Sequence, residues 1–538
     1  MVDVLELEEK CMMHKIYEYI NIRVLKNWFL ILLLLITILT RIPILYYESI
    51  PFTFDHGKDS LAVMDLVLNK RIKFIGPWTS IPGLFFGPAW YYLLAPAFVI
   101  FNGEPVGFVW TMLLLVLMEI FLLYKYFGKT PALVFTASSL SWSISISAWN
   151  PFPMVLLTIV LLIFLKKLKE RNKLKNWQYF VLGLTASLGF HFSTAFAVLY
   201  PIFIAVFILR NRIKLQLVQI ILLVFGFTLP FLPQLAFEVR HDFIQVKAVA
   251  KYIFSPDVSA PKPGLTTVLQ SIYSETLLNI TPEINIPNFP KISIVSILYA
   301  SGLLVFIMFY SKAKSPLSNF ITFPHEIIYW TLGALGLFSF FHYNSWYLIG
   351  LLPLYIISFA QLLDFILHNL KGRMVFYVYL LFALYLLTPI TKTYSFFVRD
   401  YMVQQNSQSF LPVKKRTLSA IRDEAGQRPF ASYHFAAHIY DFDWQYLYFL
   451  GALKEYTLPM QFAYQADYGA YTVEKKDLEN YFNAKNQNPE IVFFILEVTP
   501  GSDDMRKNWF NNQVSSKVYK TWNESNSITV LAGENTGD

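Results

Sequence analysis

WFLILLLLITIL (28–39) leads through Arg41 and Pro43 into FTFDHGKDSLAVMDLVLNKR (52–71) and then GLFFGPAWYYLLAPAFVIF (83–101). The first stretch carries no charge and, with its flanks, is long enough to cross a bilayer. The second sets Asp55, His56, Lys58 and Asp59 just beyond that crossing. The third is an aromatic shelf at the same boundary, with Trp90, Tyr91 and Tyr92. Carboxylates outside the hydrocarbon, beside such a shelf, suit chemistry on the polar end of a lipid. Asp55 is the first candidate for a general base.

Composition points the same way. The 538 residues are 55% hydrophobic and only 15% charged, with mean hydropathy +0.44. Soluble domains carry about 25% charged residues. The deficit, with repeated apolar runs of about 16–22 residues, predicts an all-α polytopic membrane protein. The net charge of +8 then reports which loops stay in the cytoplasm, and no nucleic-acid partner is expected. The single cysteine, Cys11, excludes an internal disulfide and a zinc–thiolate cluster. The charged, amphipathic start reads as a cytoplasmic tail (1–27) before an uncleaved first span.

Basic clusters set the topology. They fall at Arg23 and Lys26, at Lys125 and Lys129, in KKLKERNKLK (166–175), at Arg210 to Lys214, at Lys312 and Lys314, and at Lys371 and Arg373. Holding all six inside predicts about eleven spans, an inner N-terminus and an outer C-terminus. The spans are 28–47, 105–124, 131–148, 151–166, 177–192, 194–209, 216–236, 291–311, 326–342, 345–367 and 374–391. A crossing at 88–101 would invert every later loop, so that stretch is expected to be interfacial or re-entrant. A membrane domain (28–391) results, with outer loops 48–104 and 237–290. Strand-like PFASYHF, EIVFFILEV and SITVLAG, with helix-like VKKRTLSAIRDEA and DWQYLYFLGALKEY, predict a small extracytoplasmic α/β domain over 392–538.

The candidate site residues sit at the outer ends of these spans. A helix is expected to start near Asp59 and Ser60 and to lie on the interface, with Leu61, Met64 and Leu68 as its apolar face. If it reaches back to Asp55, then Asp55 and Asp59 share a face and Asp65 points elsewhere. The plain alternatives are a solvated loop charge at Asp55 and a helix cap at Asp59. Asn150 lies in the turn SAWNPFP (147–153) and His191 at a span end, GFHFS (189–193). LPFLPQLAFEVRHDF (229–243) opens the second outer loop with Glu238, Arg240, His241 and Asp242. Arg240 is the first choice to hold a lipid phosphate, with Lys247 and Lys251 behind it. His342, Tyr343 and Asn344 mark a third outer turn. No P-loop, zinc-protease helix, nucleophile elbow or dinucleotide fingerprint is present.

Taken in order, the early loop Asp, the FGPAWYYLLAPAF shelf, the WNP turn, GFHFS, PFLPQLAFEVRHDF and HYNSWYLIGLLPLY resemble the GT-C superfamily of integral-membrane glycosyltransferases. The branch is that of the protein mannosyltransferases and aminoarabinose transferases, and the likeness covers about residues 28–391. It implies a sugar donor carried on dolichyl or undecaprenyl phosphate. It implies inverting hexosyl or pentosyl transfer on the outer face of the cell membrane, to a protein, lipid or glycan acceptor. The family's catalytic acid maps to Asp55. Many relatives have two adjacent acids there, whereas this chain has Asp55–His56, which leaves His56 or Asp59 to assist. Substrate contacts are expected from Lys58, Trp90, Tyr91, Asn150, His191, Glu238, Arg240 and His241. Asp55, His56, Asp59 and His191 are ligand types for a divalent metal, but no ligand spacing marks a site and no cofactor is assigned. The rival reading is a transporter or flippase. It has Glu119 as an acid within a span, but no repeat between the two halves supports it.

Overall fold

The computed structural model describes residues 27–254, 263–280, 321–340, 343–369, 371–436, 440–465, 473–483, 488–513 and 516–536. Cys11, the expected span 291–311 and His342 lie outside them. The helical part runs through α1 (Asn27–Tyr46), α2 (Phe54–Leu68), α3 (Ala89–Ile100), α4 (Pro105–Phe127), α5 (Lys129–Ala137), α6 (Ser139–Ile146), α7 (Met154–Arg171) and α8 (Asn176–Phe192). It continues with α9 (Thr194–Arg210), α10 (Leu217–Arg240), α11 (Ile244–Phe254), α12 (Leu265–Ile280), α13 (Pro324–Phe340), α14 (Leu352–Asn369) and α15 (Arg373–Ser395).

Among the described residues five helices are long and apolar enough to cross a membrane: α1, α4, α10, α14 and the stretch Val375–Asn406 that extends α15. Along α10, residues such as Leu217, Ile221 and Phe225 are exposed. An apolar surface of that kind is stable in lipid, not in water. α10 packs on α8 at Gly183 and Gly226, where an added Cβ would meet Leu223 O and Phe180 O at 2.0 Å. Small residues let two membrane helices approach backbone to backbone.

Two expected spans differ, and one expected non-crossing segment agrees. The stretch 131–148 is not one helix: the chain breaks at Ser138, whose side chain accepts from Ser141 N–H at 3.0 Å and caps α6. The last span does not stop at 391; α15 passes through a widened turn (Phe396–Asp400) and ends at Asn406. α3 has 12 residues, about 18 Å of helix. That is shorter than the hydrocarbon layer, in keeping with a segment that does not cross.

The C-terminal domain begins with α16 (Leu411–Ala425) and holds one five-stranded sheet, in the order β2-β1-β3-β5-β4. β1 (Phe430–Phe435) pairs in parallel with β2 (Gln461–Ala463) and β3 (Ile491–Glu497). β5 (Ile528–Asn535) runs antiparallel to β3 and to β4 (Ser516–Ser525). The helices α17 (Phe442–Leu453), α18 (Val473–Tyr481) and α19 (Asp503–Asn511) connect the strands. β2, β4, α18 and α19 had no sequence signal strong enough to place them. β4 is largely exposed, so it lacks the alternating apolar pattern.

This domain is locked onto the helices. Pro51 and Phe410 form a β-bridge, flanked by Phe52 N–H to Ser409 O at 2.8 Å and Leu411 N–H to Ile50 O at 3.0 Å. Lys415 reaches Glu48 at 2.6 Å and Glu104 at 2.7 Å, and Lys73 joins Asp65 to Glu474. One apolar core runs from the membrane helices into the domain. α2 is therefore not an interfacial helix with one wet face. Every residue from Gly57 to Asp65 is buried, between α3 and α17.

Candidate functional site

The site forms where the N-terminus of α2 meets the turn after α6 and the start of α17. The helix begins earlier than expected, with Thr53 as N-cap in extended conformation, so Asp59 is not a cap. His56 folds back on the cap: its Nδ1 accepts from Thr53 N–H at 3.3 Å and lies 3.0 Å from Thr53 Oγ1. An accepting Nδ1 leaves the ring proton on Nε2, which is 3.1 Å from Ser147 Oγ and donates to it. Burial pushes the imidazole down to about 4, with Asp55 raising it and Lys58 lowering it further. His56 is therefore neutral at physiological pH and acts as a strut between α2 and the 147–150 turn.

Asp55 and Asp59 sit one turn apart in opposite environments. The Asp55 side chain is 41% exposed, and its Oδ1 accepts from Lys58 Nζ at 3.0 Å. Lys58 in turn lies 4.8 Å from the Trp78 ring. Asp59 is 5% exposed and accepts from Trp90 Nε1 at 2.8 Å; its other oxygen has no partner among the described residues. Asp59 borders a cavity of about 10 Å³ together with His56 and Ser60, room for about one water. Burial raises Asp59 to about 7, against the pull of Lys58 and the Trp90 hydrogen bond, while Asp55 raises it further.

The sign of the resulting pH effect follows. A carboxyl with a raised native pKa holds a proton that the unfolded chain has released. Its stabilising contribution is present below about pH 4 and is lost as pH rises toward 7. Asp59→Asn, which keeps an acceptor for Trp90, is expected to flatten the melting temperature between pH 4 and 7. An unchanged slope in a detergent-solubilised melt series would disprove the assignment.

The wall opposite Asp55 comes from the C-terminal domain. Phe54 and Trp78 pack on Tyr440 at 6.3 and 6.0 Å, Trp78 lies 5.8 Å from Phe442, and Tyr440 stacks on Phe442 at 5.4 Å. Sequence reasoning did not select Tyr440 or Phe442; the aromatic–acidic run YDFDW (440–444) was the only signal. Gly57 makes the junction possible. A Cβ there would sit 2.2 Å from Asp443 N and 2.4 Å from Phe442 C. Backbone cannot yield as a side-chain tip can. Gly57→Ala is expected to destabilise the docked state by about 1–3 kcal/mol. The check is faster protease cleavage between α16 and the membrane helices.

The remaining candidates go to several places. Trp90 orients Asp59, and Tyr91 is buried beside it on α3. Asn150 Nδ2 donates to Phe192 O at 3.0 Å, and His191 Nδ1 accepts from Ala89 N–H at 3.2 Å. Both tie the 147–153 turn, the end of α8 and the start of α3 together. Glu238 accepts from Gln245 and Val246 N–H at 3.1 and 3.2 Å and caps α11. His241 stacks on Phe237 at 3.9 Å and is exposed. Arg240 lies 5.3 Å from the Phe74 ring. Arg240 and Lys58 thus rest on aromatics at either end of 74–78 in the first loop. The two loops meet nearby, where Phe85 N–H donates to Gln245 Oε1 at 3.0 Å. Among the described residues no group of three His, Cys, Asp or Glu gathers as a metal site.

No family model matches the chain, and no curated protein matches it in sequence. Among the solved structures that match, two do so across almost its whole length. One is the crystal structure of ArnT from Cupriavidus metallidurans bound to undecaprenyl phosphate. It aligns with TM-score 0.57 and 10% identity over 95% of this chain and 99% of that chain. The other is the apo state of ArnT, with TM-score 0.53 and 10% identity over 91% and 96%. The chain shares its overall fold with ArnT.

Proposed function

We propose that this protein, built on the fold it shares with ArnT, is an inverting glycosyltransferase. It takes a sugar from a polyprenyl-phosphate donor and passes it to a protein, lipid or glycan acceptor on the outer face of the cell membrane. Its N-terminus is then cytoplasmic, and the C-terminal domain beyond Asn406 is extracytoplasmic. The observation that carries this reading is the half-exposed Asp55 carboxylate. It is held by Lys58 where the first loop meets the C-terminal domain, in a fold whose ArnT example binds undecaprenyl phosphate.

In this reading Asp55 takes the proton from the acceptor hydroxyl or amine as the new bond forms. The departing group is a phosphodiester becoming a monoester, so it needs positive charge more than a general acid. Lys58 and Arg240, on Trp78 and Phe74, supply that charge. The anomeric carbon passes through an oxocarbenium-like state, which a nearby carboxylate favours. The test is incubation of the purified protein in lipid nanodiscs with a panel of hexosyl- and pentosyl-phosphate polyprenols. One donor is expected to be consumed with release of polyprenyl phosphate, and the choice reads the sugar class directly. A panel in which every donor survives would remove the proposal.

A further inference from the structure

We propose that the groove between α1 and α15 is a second lipid site, which seats the phosphate head of an anionic glycerophospholipid from the surrounding bilayer. The groove is a cavity of about 470 Å³. Leu384 and Leu387 line one part of it, and Lys392, Arg399 and Asp400 another, with Ile44 of α1 alongside the latter. Arg399 lies fifteen positions beyond Leu384 on one continuous helix, about 22 Å of rise. Apolar and polar linings thus follow each other along the axis, as the tail and head of a lipid do.

Lys392 and Arg41 stand at one level, and Arg399 lies seven positions farther along the helix, about 10 Å of rise. Thr393 Oγ1 donates to Thr40 O at 3.1 Å and fixes α15 beside the outer part of α1. There Lys392 Nζ donates to Ser139 Oγ at 2.9 Å and lies 5.8 Å from the Trp142 ring. Arg41 lies 4.6 Å from the same ring, held by Ser145 Oγ at 3.0 Å and Thr40 Oγ1 at 2.7 Å. Arg399 pairs with Asp400, but its side chain is 61% exposed, so the pair can open to a phosphate at little cost. Among the described residues, two cations and one carboxylate line the outer part of a helix long and apolar enough to span, with Arg41 buried on the far side of the shared Trp142. Leu387 and Tyr394 are exposed beside the groove, so it opens sideways to the lipid that surrounds these helices.

The site stands apart from the transfer chemistry, though α6 links them: Trp142 walls the groove, and Ser147, just past the end of α6, holds His56. The experiment is native mass spectrometry of the full chain with phosphatidylglycerol, phosphatidylcholine and undecaprenyl phosphate. Phosphatidylglycerol is expected to be retained over net-neutral phosphatidylcholine. The double change Lys392→Gln and Arg399→Gln should weaken its retention roughly tenfold or more. Leu387→Trp, which fills the groove without altering charge, should do the same, and Asp55→Asn should leave retention intact. Equal retention by wild type and both groove variants would overturn the site. So would equal binding of the two phospholipids, or a Lys392-dependent signal from undecaprenyl phosphate alone.

Discussion

Asp55→Asn is expected to reduce sugar transfer by about 10²–10⁴, with the protein still folded and still able to bind donor. The amide is nearly isosteric and keeps an oxygen to accept from Lys58 Nζ, so the pairing seen at 3.0 Å survives. What is lost is the ability to take a proton. The fall should therefore appear in turnover, with the donor's half-saturation concentration little changed. Asp59→Asn is the matched control. It alters a carboxyl that is buried against Trp90 and cannot reach an acceptor in solvent. Full turnover by the Asp55→Asn protein would remove this carboxylate from the base role and leave the fold likeness without a mechanism.

Lys414→Ala is expected to give the largest loss of stability. Lys414 lies almost fully buried between Asp443 and Glu497, donating to Glu497 Oε1 at 2.8 Å and to Asp443. Trp444 Nε1 also donates to Glu497 Oε1, at 3.0 Å. Burial alone would depress the ammonium, but the two carboxylates outweigh it and hold Lys414 above its ordinary value. Removing the cation leaves two buried acids without a counter-charge, a loss of about 3–5 kcal/mol. Lys414→Met restores volume and should not restore stability, since the acids remain. The effect reaches the site, because Asp443 and Phe442 lie against Gly57. Thermal unfolding followed by tryptophan fluorescence checks it. A shift within error for both variants would show that the cluster is not what holds α17 in place.

Much of this was legible in the residues. The apolar runs have the length of a bilayer crossing, and α1 ends and α4 begins within two residues of expectation. Asp55 and Asp59 do lie on one helix, and β1, β3 and β5 occupy the stretches chosen for strands. These features are local: run length, period and cap chemistry are written within a few residues of one another. The break at Ser138 was also local, but a serine in an apolar stretch reads as well inside a helix as at its end.

The pairings were not legible. Nothing near Gly57 announces that Asp443 will lie on it, and nothing near Asp59 names Trp90 as its donor. Glu238 looked like part of a charged cluster, and the turn at Asp242 made it a cap for α11 instead. Chain composition by itself determined a membrane-crossing helical protein with an acid at the end of its first span. Only the tertiary structure decided that a separate sheet domain closes over that acid, leaving Asp55 wet and Asp59 dry. Solvent access at a carboxyl depends on what packs against it, and here that is Trp90, 31 positions on, and the start of α17, hundreds of positions away.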